Sequence, residues 1–399
     1  MKAIIAVSII ILLILWLSAD FYIGRKKHRA TVKNVKFPER QSDFDLFTKG
    51  KALTNQFFHD LQKAKQYIHI QFFIVKNDKI SIQLADLLRK KAEQGVEVRL
   101  LLDWAGSSSF PVNVRDDLKK SGAKFFYSSK PKWPFLFYSL QRRNHRKISV
   151  IDGQIGYIGG FNIGKEYIDG DKKLTPWHDY HLRLKGEGVQ DLERVFLEDW
   201  RLATGEDVQY EDVFITPSFK GQALHRFFHS DGAFLEEEYV ALFQQAKKNI
   251  TIASPYFIPT YKLVQELINC LRRGISVTII VPFSSDHFLV KEASFPSFRE
   301  LISAGAQVYQ YQKGFFHGKY MMIDQTFADI GTANFDKRSF YLNSEINCYI
   351  YDQHFIQNMS KEIHKDIENS RLLSLDDLKS TGIWSKTKEW IAIRLSYFL

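Results

Sequence analysis

His145-Arg146-Lys147-Ile148-Ser149-Val150-Ile151-Asp152-Gly153-Gln154-Ile155-Gly156-Tyr157-Ile158-Gly159-Gly160-Phe161-Asn162 is answered later in the chain by His317-Gly318-Lys319-Tyr320-Met321-Met322-Ile323-Asp324-Gln325-Thr326-Phe327-Ala328-Asp329-Ile330-Gly331-Thr332-Ala333-Asn334. Both stretches read H-x-K-x4-D-x6-G-x2-N. His145 to Ile151 reads as a strand, and alternation puts His145 and Lys147 on one face. Asp152-Gly153 is a strong hairpin signal, and Ile155 to Phe161 returns as the second strand. Pairing Ile151 with Ile155 sets Lys147 opposite Gly159 and brings Asn162 beside the His–Lys pair. The same count sets Lys319 opposite Gly331 and Asn334 near His317. A glycine at that place is expected to leave room for a ligand to approach the backbone.

Working outward, the repeat extends beyond the motif. Ala64-Lys65 before Ile68-His69-Ile70 resembles Ala246-Lys247-Lys248 before Ile250-Thr251-Ile252. Gln94-Gly95-Val96 before Glu97 to Leu102 resembles Arg273-Gly274-Ile275 before Ser276 to Val281, and Ser121-Gly122-Ala123 resembles Ala304-Gly305-Ala306. Short Val/Ile-rich runs alternate with helical periodicity over Ile82–Ala92 and Leu263–Arg272, which is α/β patterning. The halves are placed at 45–205 and 218–375, joined by a linker at 206–217. The first half carries about 11 extra residues before its motif, within Lys130–Arg143.

The chain has 399 residues, 45% of them apolar and 25% charged, which excludes wholesale disorder. Its two cysteines, Cys270 and Cys348, exclude a disulfide scaffold and a cysteine-rich zinc site. Fifty-five basic against 45 acidic residues leave a formal charge of +10, which favours an anionic partner. Ala3 to Ala19 is 17 residues without a charge, followed by Arg25-Lys26-Lys27-His28-Arg29. Length and flank favour a membrane anchor over 3–23, with a basic flank and tether over 24–44, rather than a cleaved signal. The basic flank puts the body on the cytoplasmic side.

Each half thus offers an imidazole, an ammonium and an amide on one rim. Two such rims face to face suit a phosphodiester. One imidazole attacks phosphorus while the other protonates the leaving oxygen and then deprotonates the incoming nucleophile. Lys147, Lys319, Asn162 and Asn334 hold the non-bridging oxygens. Side chains supply the positive charge, so no metal is called for. Asp152 and Asp324 complete the catalytic pattern, although both sit at predicted turns, where a structural role is favoured. Gly159-x4-Gly164-Lys165 nearly spells a P-loop, but Glu166 stands where Ser or Thr must be, which argues against a nucleotide cofactor. His178 and His181 lack the partners of a metal site, and a core or supporting role is favoured. The basic run Arg142–Lys147 is read as recognition of a phosphate headgroup. The aromatic insertion Trp133–Leu140 is expected to dip into lipid and admit substrate. The segment 376–399 has Trp384, Thr387, Ile391, Leu395 and Phe398 at helical spacing, suited to packing on the body or lying on a membrane.

The duplicated His-Lys-Asp motif resembles the phospholipase D superfamily over about residues 45–375. The amino-terminal apolar segment, Arg142-x-x-His145-Arg146-Lys147, Trp177-His178-Asp179 with His181, and the amphipathic tail are similar to bacterial cardiolipin synthases. The resemblance implies an α/β fold of two pseudo-twofold-related halves, each a mixed β-sheet flanked by helices, with one active site at their interface. It implies a phosphohistidine intermediate, His145 as nucleophile and His317 as acid/base. It also implies carboxylates, Asp179 and Glu345, on the far ring nitrogens of the catalytic imidazoles. The expected reaction transfers a phosphatidyl group from one phosphatidylglycerol to another at an anionic membrane, with no cofactor and no nucleic acid. The alternatives are a phospholipase D hydrolase, a phosphatidylserine synthase and a nuclease of the same superfamily.

Overall fold

Two β-hairpins set the frame. In the first, Ile148–Ile151 pairs antiparallel with Ile155–Gly159, Ile151 facing Ile155; in the second, Tyr320–Ile323 pairs with Phe327–Gly331, Ile323 facing Phe327. Asp152 and Gly153 turn the first with φ of 50° and 64°, and Asp324 and Gln325 turn the second with φ of 54° each. Two successive left-handed residues make a turn whose twist matches the flanking strands, and Asp tolerates that conformation better than most side chains. The regular ladders open at Ile148 and Tyr320, so the expected strand from His145 is three residues shorter.

The computed structural model describes residues 1–208, 220–379 and 382–398. Of the expected linker 206–217, residues 209–217 lie outside the described residues. From the centre outward, the first half contributes strands Arg40–Lys49, Trp177–Gly186, Ile155–Gly159, Ile148–Ile151, Tyr67–Phe72, Glu97–Asp103 and Lys124–Ser128. The second contributes Ala223–Asp231, Ser344–Ile350, Phe327–Gly331, Tyr320–Ile323, Asn249–Ala253, Ser276–Pro282, Gln307–Tyr311 and Ser370–Leu372. The two series share one order, and both mix parallel and antiparallel pairs. They fuse into a single sheet where Arg40, Gln41 and Ser42 pair with His225, Leu224 and Ala223. Arg40 to Phe44, assigned from sequence to the tether, is therefore strand. Short polar and charged residues hid it, because only its pairing neighbours bury it.

The runs Tyr67–Phe72 and Val98–Asp103 are buried throughout, as strands covered on both faces must be. The helix Lys79–Glu93 packs on them, as Tyr261–Arg272 packs on Ser276–Pro282 in the second half, and each starts at a side-chain cap: Asp78 accepts from the Ser81 amide and Thr260 from the Leu263 amide. The central layer is closed by Val189–Thr204 and Gln353–Glu368, which bury Leu192, Phe196, Trp200, Ile356, Met359 and Ile363 on the sheet. The helix Lys2–Thr31, about 45 Å long at 1.5 Å per residue, has a mean hydropathy of 2.6 over its apolar window and is long enough to cross a membrane. It runs unbroken through the basic residues assigned to the flank.

Candidate active site

His145 and His317 lie just ahead of their hairpins, and each is fixed from the opposite half. The His145 amide donates to the Ser344 carbonyl (3.0 Å), and the His317 amide to the His178 carbonyl (2.7 Å). Phe315 and Phe316 pair in parallel with Trp177 and His178. The residues that follow these two acceptors are the acids. Glu345 bonds His145 Nδ1 through both oxygens (2.9 and 3.0 Å), and Asp179 bonds His317 Nδ1 at 2.5 Å. Glu345 and Asp179 occupy corresponding strands, because Gly331 pairs with Asn347 as Gly159 pairs with His181. The halves have exchanged their carboxylates, and neither histidine is oriented without the other half.

A carboxylate on Nδ1 holds the proton there and leaves Nε2 for chemistry. Glu345 is saturated: Thr332 Oγ1 (2.6 Å), Ser339 Oγ (2.9 Å) and Asn343 Nδ2 (3.3 Å) also donate to it. Its pKa is lowered although burial opposes ionisation, because the His145 charge and hydrogen bond outweigh that cost together with Lys147. Asp179 is lowered likewise against burial, by Lys319 and His317. Burial drives both catalytic imidazoles down to about 4, a shift that Lys147 deepens for His145 and Lys319 for His317. The same desolvation lowers Lys147 to about 7 and Lys319 to about 8. An anion placed among these imidazoles and lysines would raise all four of their pKa values.

Lys147 Nζ donates to the His145 carbonyl (2.7 Å), and Lys319 Nζ to the His317 carbonyl (2.5 Å). Aromatic rings complete the walls. Phe73 meets His145 edge-on at 5.0 Å and lies 5.5 Å from Lys147 Nζ. Trp177 lies 4.8 Å from His317 and Tyr256 6.3 Å. Asn162 Oδ1 accepts from the Ile74 amide (3.1 Å), whereas Asn334 Oδ1 is buried with no hydrogen-bond partner among the described residues. A buried amide oxygen in that state is costly. Phe73, Tyr256, Thr332, Ser339 and Asn343 were not singled out from sequence; only Thr332 carried a signal, as a member of the duplicated stretch.

Asp152 and Asp324, for which their predicted turns favour a structural role, are not brought to the site, and two other expectations are corrected. Asp152 accepts from the amides of Lys65, Gln66 and Tyr67 (2.8–2.9 Å), and Asp324 from those of Lys247, Lys248 and Asn249 (2.7–2.9 Å). They cap the entry of a neighbouring strand at the far end of the hairpin, about 17 Å from the lysine at 3.3 Å per residue. Gly159 and Gly331 leave no room for a ligand. A Cβ on Gly159 would lie 2.5 Å from Tyr180 O, and one on Gly331 2.5 Å from Ile346 O, so these glycines admit the acid-bearing strand. Arg143 and Arg146 do not face a headgroup. Arg146 is wholly buried, paired with Asp199 (2.6 Å) and Asp231 (2.9 Å) and donating to the Glu345 carbonyl (3.1 Å); Arg143 pairs with Asp103 at 3.3 Å. A buried guanidinium must be paired, and these are paired internally. His178 bonds Asp366 at 2.7 Å and stacks on Tyr311, and His181 is buried beside Tyr157 and Phe161.

The family described as "Cardiolipin synthase, PLD-like domain" matches residues 57–200 and 239–367, one segment in each half. Minor cardiolipin synthase ClsB of Bacillus subtilis (strain 168) is 41% identical over 401 residues, covering 100% of both chains. Cardiolipin synthase of Staphylococcus aureus (strain Mu50 / ATCC 700699) is 37% identical over 374 residues, covering 92% of this chain and 75% of that one. Among solved structures, phosphatidylserine synthase of Haemophilus influenzae Rd KW20 superposes with a TM-score of 0.74 over 94% of this chain and all of that one; at 16% identity this shows a shared fold. With two crossed histidine–carboxylate pairs on a duplicated fold and the family's match in both halves, the chain belongs to the cardiolipin synthase family, phosphatidyltransferases of the phospholipase D type.

Proposed function

We propose that the protein joins two phosphatidylglycerol molecules into cardiolipin and glycerol through a phosphohistidine intermediate. The observation that carries this reading is the exchange of carboxylates, Glu345 on His145 and Asp179 on His317, which gives one phosphorus two matched imidazoles. His145 Nε2 attacks the phosphorus of the first lipid. His317, protonated, gives its proton to the departing glycerol oxygen, so the P–O bond breaks as the P–N bond forms. Neutral His317 then takes the proton of the second lipid's terminal hydroxyl. That oxygen displaces His145, and the catalytic proton is restored. Lys147, Lys319, Asn162 and Asn334 meet the non-bridging oxygens as charge builds. One phosphodiester replaces another, so the reaction needs no outside energy source. The helix Lys2–Thr31 anchors the enzyme in the cell membrane as a single span, and Arg25–Arg29 hold the body on the cytoplasmic side.

The test is the purified protein in detergent micelles of labelled phosphatidylglycerol, without added metal or nucleotide. Cardiolipin and free glycerol, both lost in His145→Ala and His317→Ala, are expected. Phosphatidic acid as the only product would make water the acceptor and the protein a hydrolase. Rapid quenching should trap label on His145, and label on His317 would reverse the two roles.

A further inference from the structure

The carboxyl-terminal end of the anchor helix does not hang free. Asp20, Gly24 and His28, one turn apart on one face, meet the insertion that the second half lacks. The Tyr138 amide donates to Asp20 Oδ1 (2.7 Å), and the Tyr138 hydroxyl bonds His28 Nδ1 (2.9 Å). A Cβ on Gly24 would lie 2.8 Å from Tyr138 Cβ and 2.9 Å from Phe135 Cβ, so only glycine lets the two helices touch there. Asp20 is buried, a carboxylate just past 17 uncharged residues, and the amide at the first turn of Leu136–Gln141 satisfies it.

The neighbouring face binds the carboxyl terminus. The Phe21 ring lies 5.3–6.2 Å from those of Phe137, Tyr138, Tyr397 and Phe398. Arg25 donates to the Tyr397 hydroxyl (2.9 Å) and lies 4.3 Å over the Tyr341 ring. These partners lead straight to the site. Arg338 donates to the carbonyls of Gln141 (2.9 Å) and Phe398 (3.2 Å), and its neighbour Ser339 holds Glu345, the carboxylate on His145. The insertion and the carboxyl-terminal segment both carry exposed aromatic rings: Trp133 is 77% exposed, Trp384 79% and Trp390 60%. Lys130, Lys132, Lys386 and Lys388 flank those rings in sequence. Exposed tryptophans among lysines, continuous with an apolar helix, match the interface of an anionic bilayer.

We propose that the insertion 130–141 and the residues Tyr397 and Phe398, just past the carboxyl-terminal helix Ile383–Leu395, form an intramolecular dock for the anchor, which seats the active site on the lipid surface with Trp133, Trp384 and Trp390 in the interface. The insertion is thus a bracket between membrane helix and catalytic motif, with only its tip in lipid. The proposal deepens the phosphatidyl-transfer reading and rests on it for substrate.

Gly24→Leu in the full-length enzyme tests the dock, because it wedges the helices apart without touching the catalytic residues. Cardiolipin formation from phosphatidylglycerol in vesicles should fall by about tenfold or more, while turnover of a short-chain, monomeric phosphatidylglycerol stays within about twofold. Unchanged vesicle turnover overturns the proposal. Should Gly24→Leu lose both activities, the solvent-exposed triple Trp133→Ser, Trp384→Ser, Trp390→Ser decides: the same split supports the seat on the lipid, and equal rates on both substrates overturn it. If wild type makes no cardiolipin from either form, the function reading fails, and the dock is judged by trypsin. Faster cleavage after Lys132 in Gly24→Leu than in wild type sustains the dock, and equal rates reject it.

Discussion

At the scale of single residues, charge is withheld from the site. In the proposed mechanism His317 must be protonated to serve as the acid, yet burial and Lys319 hold it down to about 4. Lys147 stands at about 7. An anion between the rims reverses both pressures, so binding must draw protons from solution. Calorimetry of orthovanadate binding near neutrality, repeated in buffers of different ionisation enthalpy, should show uptake of about one proton per site; no uptake would mean that the acid is charged beforehand. The affinity should also weaken as pH rises through 7 to 8, where Lys147 and then Lys319 discharge. Glu345→Gln keeps the shape but offers an amide that can hold the wrong imidazole tautomer. Its kcat should drop by about a thousandfold with the fold intact. A drop of less than about tenfold would show that the Thr332, Ser339 and Asn343 bonds to position 345 have no catalytic consequence through His145.

At the scale of elements, the hairpins were the most legible feature, and their physics is local. Alternation, a three-residue loop opened by Asp-Gly and Asp at a left-handed position led to the register Ile151–Ile155 correctly from spacing alone. What lay opposite the hairpins was not legible from spacing, and Glu345 and Asp179 came only through the family resemblance, since Glu345 and His145 are 200 residues apart and no local rule reports which strand an imidazole will meet. The same blindness misread Gly159, which accommodates a strand, and Arg146, whose carboxylate partners come from both halves. Asp152 separates the two kinds of information. Its place in the motif reads as chemistry, and its three amide bonds read as architecture. Asp152→Ala should lower stability by about 1–3 kcal/mol and leave kcat per folded molecule within about twofold, measured by thermal unfolding and active-site titration. Asp152→Asn, which tolerates the turn and keeps an acceptor, should lose less. A large fall in kcat with unchanged stability would return Asp152 to the catalytic set.

At the scale of the whole molecule, the two halves are one object. The sheet runs unbroken through Arg40–Ser42 and Ala223–His225, and the site exists only where the halves exchange acids. Duplication was plain in the sequence because it repeats spacing. The seam was not, because three polar strand residues carry no apolar alternation. A consequence of burying so many imidazoles along this seam is acid sensitivity. His145, His225, His229 and His317 are lowered from 6.5 to about 4, and His181 to about 3, with burial the largest cause in each. Between pH 6.5 and 4 the unfolded chain binds protons at these five positions that the folded chain refuses, so stability falls as pH falls. Burial acts the other way on five carboxyls: it raises Asp329 to about 7 and Asp336 to about 6, and it raises Asp103, Asp191 and Glu198 as well, so the folded chain holds protons there that the unfolded chain gives up. Of the five, only Asp329 and Asp336 are shifted as far as the imidazoles, which leaves the histidines ahead. The thermal midpoint in detergent should drop steadily from about pH 7 to about pH 4.5, before most carboxylates titrate. Replacing His225, which is remote from the catalytic pairs and bonded to its own strand's Ala223 carbonyl, with Gln should flatten that slope by about one proton. A midpoint that holds level or rises over the same range would show that the carboxyls, and not the imidazoles, govern how this protein meets acid.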